Sequence, residues 1–404
     1  MTMIKINYQT QDEEETIIEF DTCPPTLDLT ELGIISIDLS LLQSCTTLEV
    51  LNLYDNHLDY IDLTPLQSCV GLQEVYLGEN ELVHLDLSPL RKCTNLQILE
   101  LHQNKFETLN LGPLLHCTQL KRLDFANNAL QMLDLGPLWK CTLLEELDLS
   151  ENELHELILT PLYYCTNLLD LDISGNDLDH LDISPLWNCK QLQSLNLRAN
   201  RIEQIDLRAL YHCEQLRELE LSQNKLKHID LSPLWHCRKL EALWLAENLL
   251  TQLNLAPLTH STSLKTLNLT QNELNRLDLS PLLKGQTDFN LFVDPDVDLV
   301  ADSRLKSALW KHSPATFEEL IPTIIWYGEP QVVADSSQED QATLEGDTSQ
   351  SAIGRIISLE HIGKEFLTHL MKQGWLIRVE TENGFEYVLS PDGETKLREI
   401  GLDL

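Results

Sequence analysis

Apolar residues recur along most of this chain with a period of 24 positions. The stretch from Cys165 to Asn188 is CTNLLDLDISGNDLDHLDISPLWN, and similar strings begin at Cys45 and at every following interval as far as Ser261. Each unit opens with alternating apolar and polar residues, which predict a short β-strand, and later contains Ser-Pro-Leu or a variant, which predicts a helical turn. A repeat of this length indicates a solenoid whose units stack and bury a continuous core.

The repeating unit has a specific order of leucines and asparagine. In the unit that begins at Cys165 these positions are Leu168, Leu171, Ile173, Asn176 and Leu178. Their spacing resembles the leucine-rich repeat pattern L-x-x-L-x-L-x-x-N-x-L, in a form that carries LDLSPLxxCTNL. The resemblance covers roughly residues 21–300. It implies an α/β leucine-rich-repeat solenoid of about eleven coils, with a curved parallel β-sheet on the concave face, short 3-10 or helical turns on the convex face, and protein binding on the concave sheet.

Polar residues also recur at fixed positions of the unit. The asparagine amide that follows each strand can bond the backbone of neighbouring turns, so we predict a buried structural ladder. The Ser or Thr before each proline is predicted to cap the helical turn through its hydroxyl. Two residues earlier stand stacked carboxylates: Asp62, Asp86, Asp134, Asp182, Asp230 and Asp278. They repel one another unless local N–H groups satisfy them. A calcium ladder is the alternative, although Asn110, Ile158 and Asn254 interrupt the column.

The ends of the chain depart from the repeat. Two β-prone runs around TQDEEET predict an N-terminal β-hairpin cap. Near the other end, a helical apolar face, a hairpin around TENG and a second helix resemble the latter half of a winged-helix domain. We therefore predict five segments: a hairpin cap 1–20, a leucine-rich repeat array 21–285, a C-terminal cap 286–328, a flexible acidic linker 329–352 and a small α+β winged-helix-like module 353–404.

Charge limits the classes of partner. Lys plus Arg number 28 and Asp plus Glu number 64, which gives a net charge of −36. This charge repels nucleic acid and anionic lipid and favours a protein with a basic segment. The function indicated is a non-enzymatic scaffold or adaptor. By analogy with the family alone, small GTPases and their regulators are candidate partners.

The C-terminal module offers alternatives to that function. A transcription regulator or DNA-associated protein would act through the winged-helix-like segment, although acidic residues outnumber basic ones there. Self-association through the same module is a further alternative.

No residue pattern indicates catalysis, a cofactor or a metal site. Nine of the ten cysteines lie one repeat apart, from Cys45 to Cys237, and are predicted to be small core residues. His212, His236 and His260 end successive coils, but neither HExxH nor CxxC occurs. The N-terminal stretch lacks an apolar signal region, no run reaches the length of a membrane span, and no cysteine cluster follows Cys237. We therefore expect a cytoplasmic protein.

The variable residues of each strand are where we expect function. The position between the second and third leucines should face the concave side, and it holds Asn52, Tyr76, Glu100, Asp124, Asp148, Asp172, Asn196, Glu220, Trp244 and Asn268. Two residues earlier lie the further carboxylates Glu74, Glu146, Asp170 and Glu218. We predict that these carboxylates, with Tyr76 and Trp244 as aromatic anchors, bind a basic segment of a partner. The alternative is the average surface of an acidic protein.

Two further expectations concern side chains on the two faces. Nothing in the repeat requires the central carboxylates, so replacing Asp124, Asp148 and Asp172 with Lys should leave the melting temperature nearly unchanged or slightly raised. Like charges in a row should raise the pKa values of Glu100, Asp124, Asp148 and Asp172. On the convex turns, Trp139, Tyr163, Trp187, Tyr211 and Trp235 occupy one position in five consecutive coils. Lateral packing explains such a row, and an exposed patch used for assembly is the alternative.

Overall fold

The structure is a computed structural model that describes residues 4–12, 15–284, 289–306, 321–328, 376–381 and 384–389. The chain divides into two compact units, residues 1–329 and 330–404, which are treated separately. At the start of the first unit, β1 (Ile4–Thr10) pairs antiparallel with β2 (Glu15–Phe20). The other edge of β1 pairs with β4 (Ile34–Asp38), while β3 (Thr26–Asp28) already belongs to the repeating sheet.

A twelve-stranded sheet runs through the first unit, and every pairing in it is parallel. After β3, its strands are β5 Val50–Asn52, β6 Glu74–Tyr76, β7 Ile98–Glu100, β8 Arg122–Asp124, β9 Glu146–Asp148, β10 Asp170–Asp172, β11 Ser194–Asn196, β12 Glu218–Glu220, β13 Ala242–Trp244, β14 Thr266–Asn268 and β16 Asn290–Phe292. Each strand has three residues because the chain must turn through a complete coil in 24 positions. The sheet therefore confirms the predicted α/β solenoid.

Short 3-10 turns form the opposite side, which we call the turn face. Their bounds are Ser40–Ser44, Thr64–Ser68, Ser88–Lys92, Gly112–His116, Gly136–Lys140, Thr160–Tyr164, Ser184–Asn188, Leu207–His212, Ser232–His236 and Ala256–His260, and the α-helix α1 (Ser280–Lys284) takes the same place in the next coil.

The predicted capping of these turns by the Ser or Thr hydroxyl is wrong. Ser184 is already inside its turn, and its backbone N–H donates to Asp182 Oδ1 at 2.8 Å. The aspartate column is therefore satisfied by local N–H groups. The hydroxyls of Thr64 and Ser88, and after them the N–H groups of the same residues, lower the pKa of Asp62 and Asp86.

Leucines and a column of cysteines fill the interior between the sheet and the turns. The thiol of Cys93 donates to the carbonyl of Cys69 at 3.5 Å, and Cys189 makes the same bond to Cys165. Eight free cysteines are buried in this way. Cys23 and Cys45 instead form a disulfide, with Cα atoms 5.3 Å apart. The sequence interpretation missed this bond, although Cys23 lies almost one repeat before the first rung of the column.

The asparagine ladder is confirmed. Asn176 Oδ1 accepts the N–H of Leu154 in the preceding coil at 3.0 Å, while its Nδ2 donates to the carbonyls of Leu149, Ile173 and Ser174. The residue before each ladder asparagine has a left-handed backbone, as at Ala199 with φ of 52°. Each asparagine thus holds two coils together at the point where the strand ladder stops.

Three more parallel strands end the first unit: β15 Arg276–Asp278, β17 Asp298–Asp302 and β18 Ile325–Tyr327, with 3-10 turns at Ser303–Leu305 and Ile321–Thr323. In the second unit, β19 (Leu376–Thr381) and β20 (Gly384–Leu389) form the antiparallel hairpin expected around TENG. The helices expected on either side of it, and the linker, lie outside the described residues. Among the helices that the structure describes, none has the length and apolar character needed to cross a bilayer.

Candidate binding face on the parallel sheet

The first and third residues of each strand project from the open side of the sheet, which we call the sheet face, while the middle residue is buried. Parallel pairing aligns these residues in two straight columns. The third-position column contains the predicted Tyr76, Glu100, Asp124, Asp148, Asp172, Glu220 and Trp244, and the first-position column contains the predicted Glu74, Glu146, Asp170 and Glu218. Neighbours within a column are separated by the strand spacing of about 4.8 Å.

Third-position side chains also have a structural role that the sequence interpretation denied them. Asp148 Oδ1 accepts the N–H of Ser150 at 2.9 Å, and Asp172 Oδ1 accepts the N–H of Ser174 at 2.8 Å. The same bond to the residue two positions later is made by Asn52, Asp124, Asn196, Glu220 and Asn268. These acceptors satisfy N–H groups at the exits of these seven strands. These carboxylates therefore contribute an acceptor oxygen to the fold, which the sequence interpretation did not foresee, while their charge is not needed because asparagine makes the same bond at Asn52, Asn196 and Asn268.

Arg122 and His102 lie against the carboxylates nearer the N-terminal end of the face. Arg122, at the first position of β8, places its Nε 3.2 Å from Glu100 Oε1 and 3.4 Å from Glu146 Oε2. His102 Nδ1 lies 3.3 Å from Asp124 Oδ2. Neither Arg122 nor His102 was predicted as part of the site, although the first-position column of the sequence contains Arg122 between two strands that carry carboxylates. This part of the face is a closed ion-pair cluster.

The pKa shifts in this cluster follow burial and pairing. Burial raises the pKa of Glu100, and the nearby Arg122 opposes that shift. Burial acts in the same direction on Asp124, but its bonds to His102 and the N–H of Ala126, together with Arg122, lower the net pKa. The bond to Asp124 raises the pKa of His102. The expected mutual elevation by like charges is therefore wrong for Asp124, and at Glu100 it is secondary to burial.

The centre of the face is different, because its carboxylates lack cationic partners. Within the described residues, no Lys, Arg or His nitrogen lies within 4 Å of Asp148, Asp170 or Asp172. Burial raises the pKa of Asp148, and the charges of Asp124 and Asp172 add to that shift. Asp172 Oδ2 accepts from Asn196 Nδ2 at 2.7 Å. Three adjacent acidic side chains on two strands thus have no counter-ion among the residues that the structure describes.

Aromatic residues lie toward both ends of the carboxylate column. Tyr76 donates its hydroxyl to Glu74 Oε2 at 2.8 Å, so these two predicted site residues form a pair. At the other end, Trp244 is in register with Glu220 and is half-buried. Burial raises the pKa of Glu220. The structure places all predicted residues on one face, with the acidic centre between the two aromatic side chains.

No cluster of three or more His, Cys, Asp or Glu side chains suited to a metal ion occurs among the described residues. The histidines of the turn face instead contact aromatic rings. Trp187 meets His212 edge-on with ring centroids 4.4 Å apart, and Trp235 meets His260 in the same way.

The family follows from the repeat and its geometry. Residues 70–130, 94–154 and 190–250 match the family model described as Leucine rich repeat. These matches coincide with the stacked strands, 3-10 turns and asparagine ladder described above. The chain is a leucine-rich repeat protein. No curated protein matches it.

Solved structures of other leucine-rich repeat proteins are similar to this one. The functional domain of InlJ from Listeria monocytogenes, which includes a cysteine ladder, is 29% identical with a TM-score of 0.56, and the match covers 68% of this chain and 54% of that chain. The ectodomain of the plant membrane receptor kinase GASSHO1/SCHENGEN3 from Arabidopsis thaliana, in complex with Casparian strip integrity factor 2, is 25% identical with a TM-score of 0.61, covering 74% and 38%.

A third similar structure is a leucine-rich repeat protein from Leptospira interrogans, with 20% identity, a TM-score of 0.59 and coverage of 74% and 83%. At that identity the likeness concerns the fold alone. This leucine-rich repeat chain spans about half of the InlJ chain. The winged-helix resemblance of its C-terminal module receives no support from these comparisons.

Proposed function

We propose that this leucine-rich repeat protein is a non-enzymatic scaffold that binds a basic segment of a partner protein on its sheet face. The observation that carries the proposal is the group Asp148, Asp170 and Asp172, which lies at the centre of that face without a cationic partner among the described residues. Asp148 and Asp172 are half-buried and Asp170 is exposed. Half-buried carboxylates gain most from a cation that the partner brings, because burial has already removed part of their hydration.

The ion-pair cluster around Arg122 narrows the location of the cation-binding subsite. Since Glu100 and Asp124 already have Arg122 and His102, a partner's Lys or Arg gains little by approaching them. The cation-binding subsite therefore consists of Asp148, Asp170 and Asp172, which are fewer residues than the full predicted set. Tyr76 and Trp244 lie outside it on either side and offer apolar contacts to the flanking residues of an extended segment.

A similar structure supports a binding role for this fold. The GASSHO1/SCHENGEN3 ectodomain is in complex with another molecule, Casparian strip integrity factor 2. A long sheet built from many coils offers an extended surface to such partners. Nothing supports the alternative of DNA binding through the C-terminal module.

The test compares two triple variants that remove the same charge. The first is Asp148→Asn, Asp170→Asn and Asp172→Asn on the sheet face. The control is Asp62→Asn, Asp182→Asn and Asp230→Asn on the turn face. There, asparagine keeps the turn bond, as Asn110 and Asn254 show with the N–H groups two residues later.

Immobilised proteins are exposed to nuclease-treated lysate from the native source, and bound proteins are quantified by mass spectrometry at two salt concentrations. We expect the sheet-face variant to lose partners with basic segments by about tenfold, since two or three charge contacts disappear, while the control keeps them. Equal capture by both variants would show that the acidic centre is only solvated surface.

A further inference from the structure

The sheet face changes character on the C-terminal side of its acidic centre. Trp244 on β13 and Phe292 on β16 both occupy the third position of their strands, and Asn268 on β14 lies between them. Phe292 is 48% exposed and Trp244 is half-buried. We call these two rings the aromatic patch. The sequence interpretation did not include Phe292 in the site, because Phe292 follows the residues assigned to the repeat array.

The three strands around the aromatic patch have no charged residue. Their first positions are Ala242, Thr266 and Asn290, and their middle positions are leucines. By contrast, both outward positions are acidic on each of β9, β10 and β12. A ring that remains accessible among small neutral residues gains free energy when an apolar side chain covers it. This end of the sheet face therefore favours apolar contacts.

Charged residues beside these strands already have partners within the protein. Glu241 forms ion pairs with both Arg217 and Lys265. Glu247 accepts from a glutamine side chain at 3.0 Å, and Asp294 accepts a backbone N–H at 2.7 Å. These two cations and three carboxylates leave little net charge around the aromatic patch. A basic residue of a partner is therefore not drawn to the patch itself.

The strands on the N-terminal side of the acidic centre offer no comparable patch. They hold the ion-pair cluster around Arg122, with Glu100 and Glu146 on either side of it. An apolar side chain over this cluster would remove water from charged groups, which costs free energy. Of the two sides of the acidic centre, the C-terminal side is therefore the one that suits the apolar part of a partner.

The stretch between the acidic centre and the aromatic patch stays acidic. Strand β11 is neutral, while β12 has Glu218 and Glu220, and Glu220 is in register with Trp244. Arg198 lies beside this stretch and donates to Gln223 at 3.0 Å. Because the two carboxylates outnumber Arg198, a basic segment that leaves the acidic centre in this direction meets no net positive charge.

We propose that the aromatic patch receives the apolar end of the same partner segment whose basic end binds at the acidic centre. This inference rests on the proposed function and specifies the partner. Asp172 and Trp244 are three strands apart, roughly 14 Å, which is about four residues of extended chain. Trp244 and Phe292 are two strands apart, roughly 10 Å, which is about two to three residues. The segment thus carries two basic and two apolar side chains within about nine residues.

The experiment uses the full chain and the fluorescein-labelled peptide Arg-Ser-Arg-Ser-Ser-Ser-Leu-Ser-Leu, followed by fluorescence anisotropy. Its Arg and Leu side chains project to one side of an extended chain, because they are an even number of residues apart. The reversed peptide tests the opposite chain direction. The peptide Arg-Ser-Leu-Ser-Ser-Ser-Arg-Ser-Leu has the same composition with the two kinds of residue mixed.

We expect the first peptide or its reverse to bind at least about tenfold more tightly than the mixed peptide. Equal binding of all three peptides would show that the sheet face has no separate basic-binding and apolar-binding ends, and the proposal would be wrong.

Variants locate the apolar end. Trp244→Asn with Phe292→Asn removes both rings, introduces the residue that the array has at Asn268, and should weaken binding by about tenfold or more. Phe292→Asn alone changes an exposed side chain, so it tests the patch even if the double variant unfolds, and it should weaken binding by about threefold. Tyr76→Asn is the matched control from the other end of the same column. Since Tyr76 lies three strands, roughly 14 Å, beyond Asp148, its loss should not affect this peptide.

The outcomes distinguish this inference from the proposed function. Weaker binding in both the sheet-face triple variant and the aromatic-patch variants supports the inference. Weaker binding in the triple variant alone overturns the inference and leaves the proposed function standing. Weaker binding in the aromatic-patch variants alone overturns the proposed function and the shared segment with it. Sedimentation over a range of protein concentration tests a second copy of the chain as the occupant, and self-association that the double variant abolishes would also overturn the inference.

Discussion

Asp148 shows how one residue serves both the fold and the binding face. Its Oδ1 accepts the N–H of Ser150, and Asn196 makes the equivalent bond to Arg198 at 3.1 Å. The fold therefore needs an oxygen at this position and does not need a charge. Burial raises the pKa of Asp148, so the charged form is held at a cost that a partner's cation would relieve.

Replacing Asp148 with Asn should stabilise the isolated protein at neutral pH. A carboxyl whose pKa is raised by folding binds its proton more tightly in the folded state, so its contribution to stability falls as pH rises through the interval above its ordinary pKa. We expect Asp148→Asn to raise the free energy of unfolding at pH 7 by on the order of 0.5 kcal/mol. The gain should vanish at pH 3, measured by urea unfolding.

Asp148→Lys is the matched comparison, because it removes the acceptor as well as the charge. It leaves the N–H of Ser150 without its bond and should lower the free energy of unfolding by about 1 kcal/mol. Equal melting temperatures for the Asn and Lys variants would contradict a structural role for the oxygen.

At the scale of the coil, stability depends on bonds between neighbours rather than on any coil alone. The ladder asparagine bridges two coils, the cysteine thiol bridges two coils, and each strand has only three residues. Leu171 and Cys165 are fully buried because the next coil covers them. Repeat proteins therefore behave as chains of nearest-neighbour contacts, and a lost bridge weakens the array locally.

Asn176→Ala should remove four hydrogen bonds at once. The N–H of Leu154 would lose its acceptor inside the core, while the carbonyls of Leu149 and Ile173 would each lose one of two asparagine donors and keep the bond to Asn152 or Asn200. We expect a loss of about 3 kcal/mol in the free energy of unfolding. Hydrogen exchange should rise most in the two coils that Asn176 joins. Asn95→Ala, which removes an exposed 3.4 Å bond to Val70, is the control and should change stability by less than about 0.5 kcal/mol.

At the scale of the molecule, the cysteine column gives the array a single continuous interior. Burial raises the pKa of the Cys165 thiol to about 12, and the other thiols of the column shift in the same direction. The Cys23–Cys45 disulfide lies at one end of this column. The cytoplasmic location stays a prediction. Disulfides persist in oxidising compartments and are rare in the cytosol, so the oxidation state of Cys23 and Cys45 in the native protein tests whether its compartment is oxidising or reducing.

Thiol titration of protein from its native source should give three distinct results. Native protein at pH 8 should not react with a thiol reagent, since the eight free cysteines are buried and protonated. Unfolding without reductant should expose those eight, and unfolding with reductant should expose all ten cysteines of the chain. Ten reactive thiols without reductant would show that Cys23 and Cys45 are reduced in that setting.

The period of the sequence by itself determined the solenoid, the parallel strands, the buried asparagine ladder and the two columns of the sheet face. A residue repeated every 24 positions takes the same place in each coil, so each column can be read directly from the repeat. The period also located Trp139, Tyr163 and Trp187 in one row on the turns. These features depend on the backbone and on stacking alone.

Only the tertiary structure decided which side chains pair across coils. Arg122 neutralises Glu100 and Glu146, His102 lies against Asp124, and Asp148 turns back to its own backbone. Such pairs form only where two side chains point toward each other within a few ångströms. The repeat does not determine these directions, because the residues at these positions differ from coil to coil. The acidic centre was visible as composition in the sequence, but its lack of a counter-ion among the described residues is a property of the folded sheet.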